Sequence, residues 1–304
     1  MKLKRIFCFI IILAMMTALF SCSRQQELTE DEPEPYTPPA PQSVTVTDSD
    51  GRTVTTSQTN GDIVSVGYEA TSLLIALGAK GRITGAQMQD DALPLIKKAY
   101  PEIENLPAVT DKSGKILTDK IKELNPGLVI LTGDYASHLE ELEQAGLTVA
   151  VVRFETVEQV KSSAELIGRL SNTDRTAEQL SAFYDSSLTR LKTLTMTEDK
   201  KTVTVYNDDP LLTALLSYLN CKISPQGDYT VARAADNISG SITAPCKIEP
   251  WDEPSVALVL GLYWYACELF PDAVSVDEVT QKAINFYSDF YGVKFTAADL
   301  GINA

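Results

Sequence analysis

The sequence predicts an α/β protein of two lobes, each a mainly parallel sheet flanked by helices, joined by one long helix. Three observations predict it. Between residues 63 and 152, short apolar runs alternate with amphipathic segments, the pattern of a parallel sheet covered on both faces. From Val157 to about Leu194, apolar residues recur at helical spacing with few breakers. A strand–helix pattern then restarts at Thr202–Tyr206.

Taken in order, Val44–Thr56 alternates around the Asp50-Gly51 turn and reads as a hairpin. Ile63–Val66 reads as a strand and Ala70–Leu77 as a helix closed by Gly78. Arg82–Ala86 is a strand, and Leu93–Tyr100 and Leu117–Leu124 are helices. Leu128–Leu131 is a buried strand, Ala136–Ala145 a helix closed by Gly146, and Thr148–Val152 a strand. Val160, Ala164, Ile167, Leu170, Leu180, Phe183, Leu188 and Leu191 then mark one long helix, or two in line, with a polar break at Ser171–Asp174. Pro210–Leu219 reads as helical, Cys221–Thr243 as irregular, and Val256–Phe270 and Asp277–Tyr291 as helices.

The amino-terminal residues set the compartment. Lys2, Lys4 and Arg5 precede an apolar run, Ile6 to Phe20, that is short for a bilayer span of about 20 residues. It ends in Leu19-Phe20-Ser21-Cys22, which resembles a lipobox, so residues 1–21 read as a lipoprotein signal peptide and Cys22 as the lipidated residue. The alternative is an uncleaved anchor helix; either way the rest of the chain is exported, extracytoplasmic and tied to the bacterial cell membrane. Residues 22–42 form an acidic, proline-rich tether that cannot bury a core. Removing residues 1–21 takes away three positive charges and moves the net charge from −15 to −18, which excludes nucleic acid as a partner. Cys221, Cys246 and Cys267 permit one disulfide at most, so packing must supply stability.

Five segments in order carry a family resemblance. They are the Val44–Val54 hairpin, Ser65–Ala79, Leu117–Ile130 with its Leu-Asn-Pro-Gly-Leu-Val-Ile ending, Ile248-Glu-Pro-Trp-Asp-Glu-Pro254 with Leu260–Trp264, and Asn285–Gly292. Together they resemble the substrate-binding lipoproteins of ABC importers for ferric siderophores, haem and cobalamin, the class III periplasmic binding proteins. The resemblance implies a rigid linking helix over 156–196, an amino-terminal lobe over 43–155 and a carboxyl-terminal lobe over 197–304. It departs at Asn237–Cys246, which runs almost directly into Ile248. About two strand–helix units of about 30 residues each are absent there, so the second lobe is reduced.

Ligands of open α/β sheets sit at the carboxyl ends of the strands. Those loops carry Tyr68; Met88 and Gln89; Asp134 and Tyr135; Arg153 and Phe154; then Asn207 and Asp208, and Trp251 in the last loop. Aromatic faces suit a flat or aryl-bearing ligand and Arg153 suits an anionic chelate; loop aromatics also serve merely to cover loops. The resemblance implies an iron chelate, haem or a corrinoid as ligand, captured between the lobes and delivered to an ABC permease. It also aligns Asp119 with an acid that docks on a permease arginine, although an acid in a helix's first turn is ordinary.

The enzymatic readings find no machinery. His138 is the only histidine, too little for a zinc or manganese site of imidazoles. There is no phosphate-binding G-x-x-x-x-G-K-[ST] loop and no G-x-S-x-G elbow. The expectation is a binding protein with no resident cofactor. A second reading, motivated by the absent units, is a degenerate lipoprotein of the same fold that only presents a surface to partners.

Overall fold

The structure is a computed structural model that describes residues 43–57, 61–87 and 94–302. The predicted signal peptide, Cys22, the whole tether, Met88 and Gln89 lie outside them.

The opening hairpin pairs β1 (Ser43–Thr47) with β2 (Thr53–Ser57), antiparallel, across the Asp50-Gly51 turn. The buried Asp48 carboxylate fixes both the turn and its docking. It accepts from the Asp50 and Arg52 amides at 3.1 and 2.9 Å and from the Val151 amide at 3.1 Å.

The first sheet has four parallel strands in the order β4 (Ile83–Ala86), β3 (Ile63–Val66), β5 (Leu128–Thr132), β6 (Val149–Val152). Successive residues point to opposite faces, and both faces find a core. Ile63, Leu128 and Ile130 join the main hydrophobic core, whereas Val64, Val66, Val129 and Leu131 join a second cluster with Val109, Ile116, Ile121 and Leu142. Around the sheet lie α1 (Tyr68–Ala76), α2 (Pro94–Ala99), α3 (Thr118–Leu124) and α4 (Leu139–Gln144). The helix expected over Ala136–Ala145 begins instead as a 3-10 turn, Gly133–His138, and becomes α-helical only at Leu139.

The long helical stretch is α5 (Val157–Ser171) and α6 (Asp174–Thr195). They are not in line. Asn172 takes a left-handed conformation (φ 55°) that ends α5, and the chain folds back, so that Gly168 lies against Ala177 and Lys161 pairs with Asp185. The two helices therefore form an antiparallel hairpin, and α6 alone, about 33 Å long at 1.5 Å per residue, is the long link between the lobes.

The second sheet has three short parallel strands in the order β8 (Cys221–Ile223), β7 (Lys201–Val205), β9 (Tyr229–Val231). Two of them fall in the stretch the sequence reads as irregular. With α7 (Pro210–Leu216), α8 (Leu258–Leu269), α9 (Val276–Tyr291) and α10 (Ala297–Leu300) the lobe is complete. One hydrophobic core runs without a break from the α1 side of the first sheet, through α5 and α6, to Val203, Val205, α8 and α9.

Candidate functional site

Strand order locates the site. In the first sheet the order reverses between β3 and β5, and in the second between β8 and β9, on either side of β7. Crevices at the carboxyl ends of strands form at such reversals. In the first lobe the crevice is floored by Gly67, where φ is 108° and a Cβ would stand 2.3 Å from the Thr132 side chain, so only glycine lets the ends of β3 and β5 approach this closely.

Tyr68 opens α1 directly after that glycine and is half-buried, its hydroxyl donating to Glu249 Oε2 at 3.0 Å. Asp134 is exposed and Tyr135 half-buried in the 3-10 turn after β5. In the second lobe Asn207 and Asp208 follow β7, both exposed and both left-handed (φ 54° and 51°). Asn and Asp tolerate that conformation better than most residues, so the turn is built without glycine.

Three predicted residues are placed differently from a cleft wall. Phe154 is 3 % exposed and Trp251 1 %, both side chains of the main core. The Trp251 segment lies on α8 at Gly261, where a Cβ would meet the Trp251 carbonyl oxygen at 2.1 Å, and its indole N–H donates to Tyr287 Oη at 2.8 Å. Arg153 is not free for an anion. Its Nε donates to Asp50 Oδ1 at 2.7 Å and its Nη1 to Glu155 Oε1 at 3.4 Å, so two carboxylates from its own lobe offset the charge.

Residues the sequence reading passed over define the electrostatics. Arg233, after β9, is held by Asp209 Oδ2 at 2.6 Å and by Glu253. Each lobe thus offers one arginine at the cleft, and each arginine is covered by two acids. Glu69, beside Tyr68, has no such partner. Burial, reinforced by Asp134, Glu155 and Glu253, pushes its carboxyl up to about 7. Glu253 belongs to the second lobe, so the two sets of loops share one field, and that field is negative. In sequence, Glu69 looks like any acid in a first helical turn, and the pairing of Arg153 with Asp50 spans 103 positions.

At the cleft's edge, Val157 and Glu158 of α5 face Leu211, Leu215 and Tyr218 around a crevice of about 190 Å³. Asp119 is exposed in the first turn of α3. His138 is half-buried beside Glu141 at 3.5 Å. Among the described residues no group of three metal-ligating side chains could hold an ion.

Two parallel sheets flanked by helices and joined by a long helix give the two-lobed architecture of a periplasmic binding protein. The chain belongs to the periplasmic binding protein family, whose model matches residues 63–234, and it is an extracytoplasmic, non-enzymatic binding protein. No curated protein matches the chain in sequence. Among solved structures it is similar to a periplasmic solute-binding protein of Veillonella parvula (17 % identity, 86 % of this chain and 96 % of that one, TM-score 0.69). It is also similar to the molybdate-binding protein MolA of Haemophilus influenzae (14 %, 83 % and 99 %, 0.64) and the vitamin B12-binding protein BtuF of Vibrio cholerae (14 %, 70 % and 97 %, 0.52). At these identities the likeness is one of fold.

Proposed function

We propose that this protein captures a metal chelate, either an iron–siderophore complex, haem or a corrinoid, in the interlobe crevice and hands it to an ABC permease from a lipid anchor at Cys22. The observation that supports the reading is that loops at the strand ends of the two sheets approach one another: Tyr68 bonds Glu249, Glu69 lies in the field of Glu253, and Glu253 pairs with Arg233, which also holds Asp209. Met88 and Gln89, following β4, complete the proposed ligand set; Asp119 is the proposed docking acid. Proteins of this fold include binders of molybdate, haem and vitamin B12.

The charge pattern narrows the chelate. Both arginines at the crevice are already paired, Asp134 adds an exposed acid, and Glu69 adds a carboxyl that is partly ionised near pH 7. A neutral or cationic chelate enters that field without repulsion, whereas a highly anionic tris-catecholate complex does not. Fluorescence titration of the purified chain against ferric hydroxamates, ferric catecholates, haem and cobalamin tests this. At least one neutral or cationic chelate binds at about micromolar Kd or tighter, about −8 kcal/mol. Failure of every chelate would favour the degenerate, surface-only reading, and preference for the catecholates would overturn the charge argument.

A further inference from the structure

At the junction of the lobes lies a polar network that ligand binding does not explain. Glu249 is 1 % exposed, in the loop that leads into Trp251. Its Oε2 accepts from Tyr68 Oη at 3.0 Å and its Oε1 from Tyr287 Oη at 2.8 Å. Tyr287 Oη in turn accepts from Trp251 Nε1 at 2.8 Å. One carboxylate therefore ties α1, which starts at the floor of the first lobe's crevice, to α9 and to the Trp251 loop. A third tie runs alongside, from Ser72 of α1 to Tyr291 of α9 at 2.8 Å.

The groups that face Glu249 are all tyrosines. Tyr68 comes from α1, Tyr184 from α6, and Tyr287 and Tyr291 from α9. Tyr184 spends its hydroxyl hydrogen on the Val256 carbonyl at 2.7 Å, and Trp251 closes the remaining side. Among the described residues no lysine, arginine or histidine acts on the carboxyl. A buried carboxylate with two hydroxyl donors and no cation is costly to keep charged. Burial raises its pKa to about 7, against the opposing pull of the Tyr287 and Tyr68 hydrogen bonds.

We infer that Glu249 is a proton-operated latch between the lobes, gripping Tyr68 and Tyr287 together as a carboxylate and releasing the Tyr68 hydroxyl hydrogen when it takes up a proton. Ionised, it accepts both O–H groups through charge-assisted bonds. Neutral, one of its oxygens becomes a donor, and one tyrosine must reverse its bond. Tyr287 is pinned by the indole above it, so the reversal falls on Tyr68: Glu249 Oε2–H donates to Tyr68 Oη, and the tyrosine's own hydrogen turns away. One proton enters from solvent and no covalent bond between heavy atoms changes. The floor of the crevice thereby gains a free donor while the tie between α1 and α9 weakens.

The test is a pH titration of Trp251 emission in the full chain, with Trp264→Phe to remove the other indole, and of amide exchange over α1 and α9, both in a Glu69→Gln background that removes the other carboxyl raised to about 7. Both readouts show one transition centred near 7. It is abolished in Glu249→Gln and moves to higher pH in Tyr68→Phe, which removes a donor to the carboxylate. A shift caused by a first-lobe tyrosine and read at Trp251 is something a merely structural carboxyl does not produce. A transition that survives in Glu249→Gln, a midpoint that ignores Tyr68→Phe, or no transition in the starting protein would each overturn the latch. None of these readouts requires a ligand, so they separate this inference from the chelate reading.

Discussion

The two sheets solve the same packing problem to different degrees. β3, β5 and β6 are buried at every residue, and the first sheet feeds one cluster from each face. In the second sheet β7 buries only Val203 and Val205, β8 buries nothing fully, and β9 buries Val231 alone. Its buried residues all join the main core and none forms a second cluster on the outer face. The reduced lobe is thus a sheet covered on one side, held because its inner face shares a core with α6, α8 and α9. A sheet of three short strands can hold together when a core shared with the rest of the chain continues beneath it.

The sharpest way to break this comparison is to cut equally into both sheets. Ile130 in β5 is fully buried, and Ile223 in β8 is 39 % exposed. Ile130→Ala should cost about 2–5 kcal/mol in a urea unfolding series, the range for large-to-small core changes. Ile223→Ala should cost about 0.5 kcal/mol or less, as exposed sites do. Similar losses at both positions would mean that the second sheet has an outer covering.

Acid groups carry shifts of both signs within the chain. Burial raises Glu249 at the junction and Glu69 in the first lobe to about 7. The native state then holds those protons more tightly than the unfolded chain. Their contribution is fully present below pH 4.5, the ordinary value, and is lost as pH rises through 7. For the fully buried Glu249 the loss is on the order of 3 kcal/mol, at about 1.4 kcal/mol per unit of pKa. Asp209 in the second lobe runs the other way. Burial raises it, but its bonds to Arg233 and to the Leu212 amide win and lower it below 3.8. Its contribution is present above 3.8 and disappears as pH falls through the lowered value. Stability measured across pH should therefore rise on acidification from 8 to about 5, with the rise reduced by Glu249→Gln and reduced further when Glu69→Gln is added. A flat profile in the unaltered chain would contradict the burial of these acids.

The paired arginines extend the comparison at smaller scale. Arg233 joins the end of β9, the start of α7 and the Glu253 loop, and the adjacent Ala234 amide donates to Asp252 Oδ2 at 2.6 Å. Arg153 joins its loop to the hairpin turn and is more exposed. Arg233→Ala should cost about 1–3 kcal/mol, as charged hydrogen bonds do when broken under partial burial. Arg153→Ala should cost about 1 kcal/mol or less. Thermal melts of the two variants check the order, and a reversed order would mean that the second lobe does not depend on Arg233.

What the sequence made legible follows the same division. Every strand of the first sheet lies within a residue or two of its predicted span, because a strand buried on both faces is written as an unbroken apolar run. The second sheet hides because Cys-Lys-Ile and Tyr-Thr-Val are too short and too polar to set up a period. Periodicity found the helical stretch from Val157 but not its reversal, since apolar spacing reports a buried face and carries no direction. The left-handed Asn172 inside the polar break was the available sign. At the site, the positions of Tyr68, Asp134, Tyr135, Asn207 and Asp208 followed from strand ends. The burial of Phe154 and Trp251 did not, because an aromatic loop residue looks the same whether it lines a cleft or fills a core.

The smallest expected effect tests the comparison without altering the chain. Amide exchange reads local opening, and local opening is easiest where few apolar groups must be exposed to free a backbone bond. In the first sheet β5 is flanked by β3 and β6 and covered on both faces, so opening it disrupts two cores. In the second sheet β8 is a three-residue edge strand whose Lys222 and Ile223 are exposed, and β9 continues outward only through a single bridge between Val231 and Ile242. Residues 221–231 should therefore exchange roughly tenfold faster or more than 128–152, which corresponds to about 1.4 kcal/mol less local stability. Within the same lobe the central β7 should lie between them, because it has hydrogen-bonded neighbours on both sides but a core on only one face. Equal protection of β8 and β5 would show that sharing a core with the first lobe stabilises the whole second sheet, edges included, and that the one-sided covering costs it nothing.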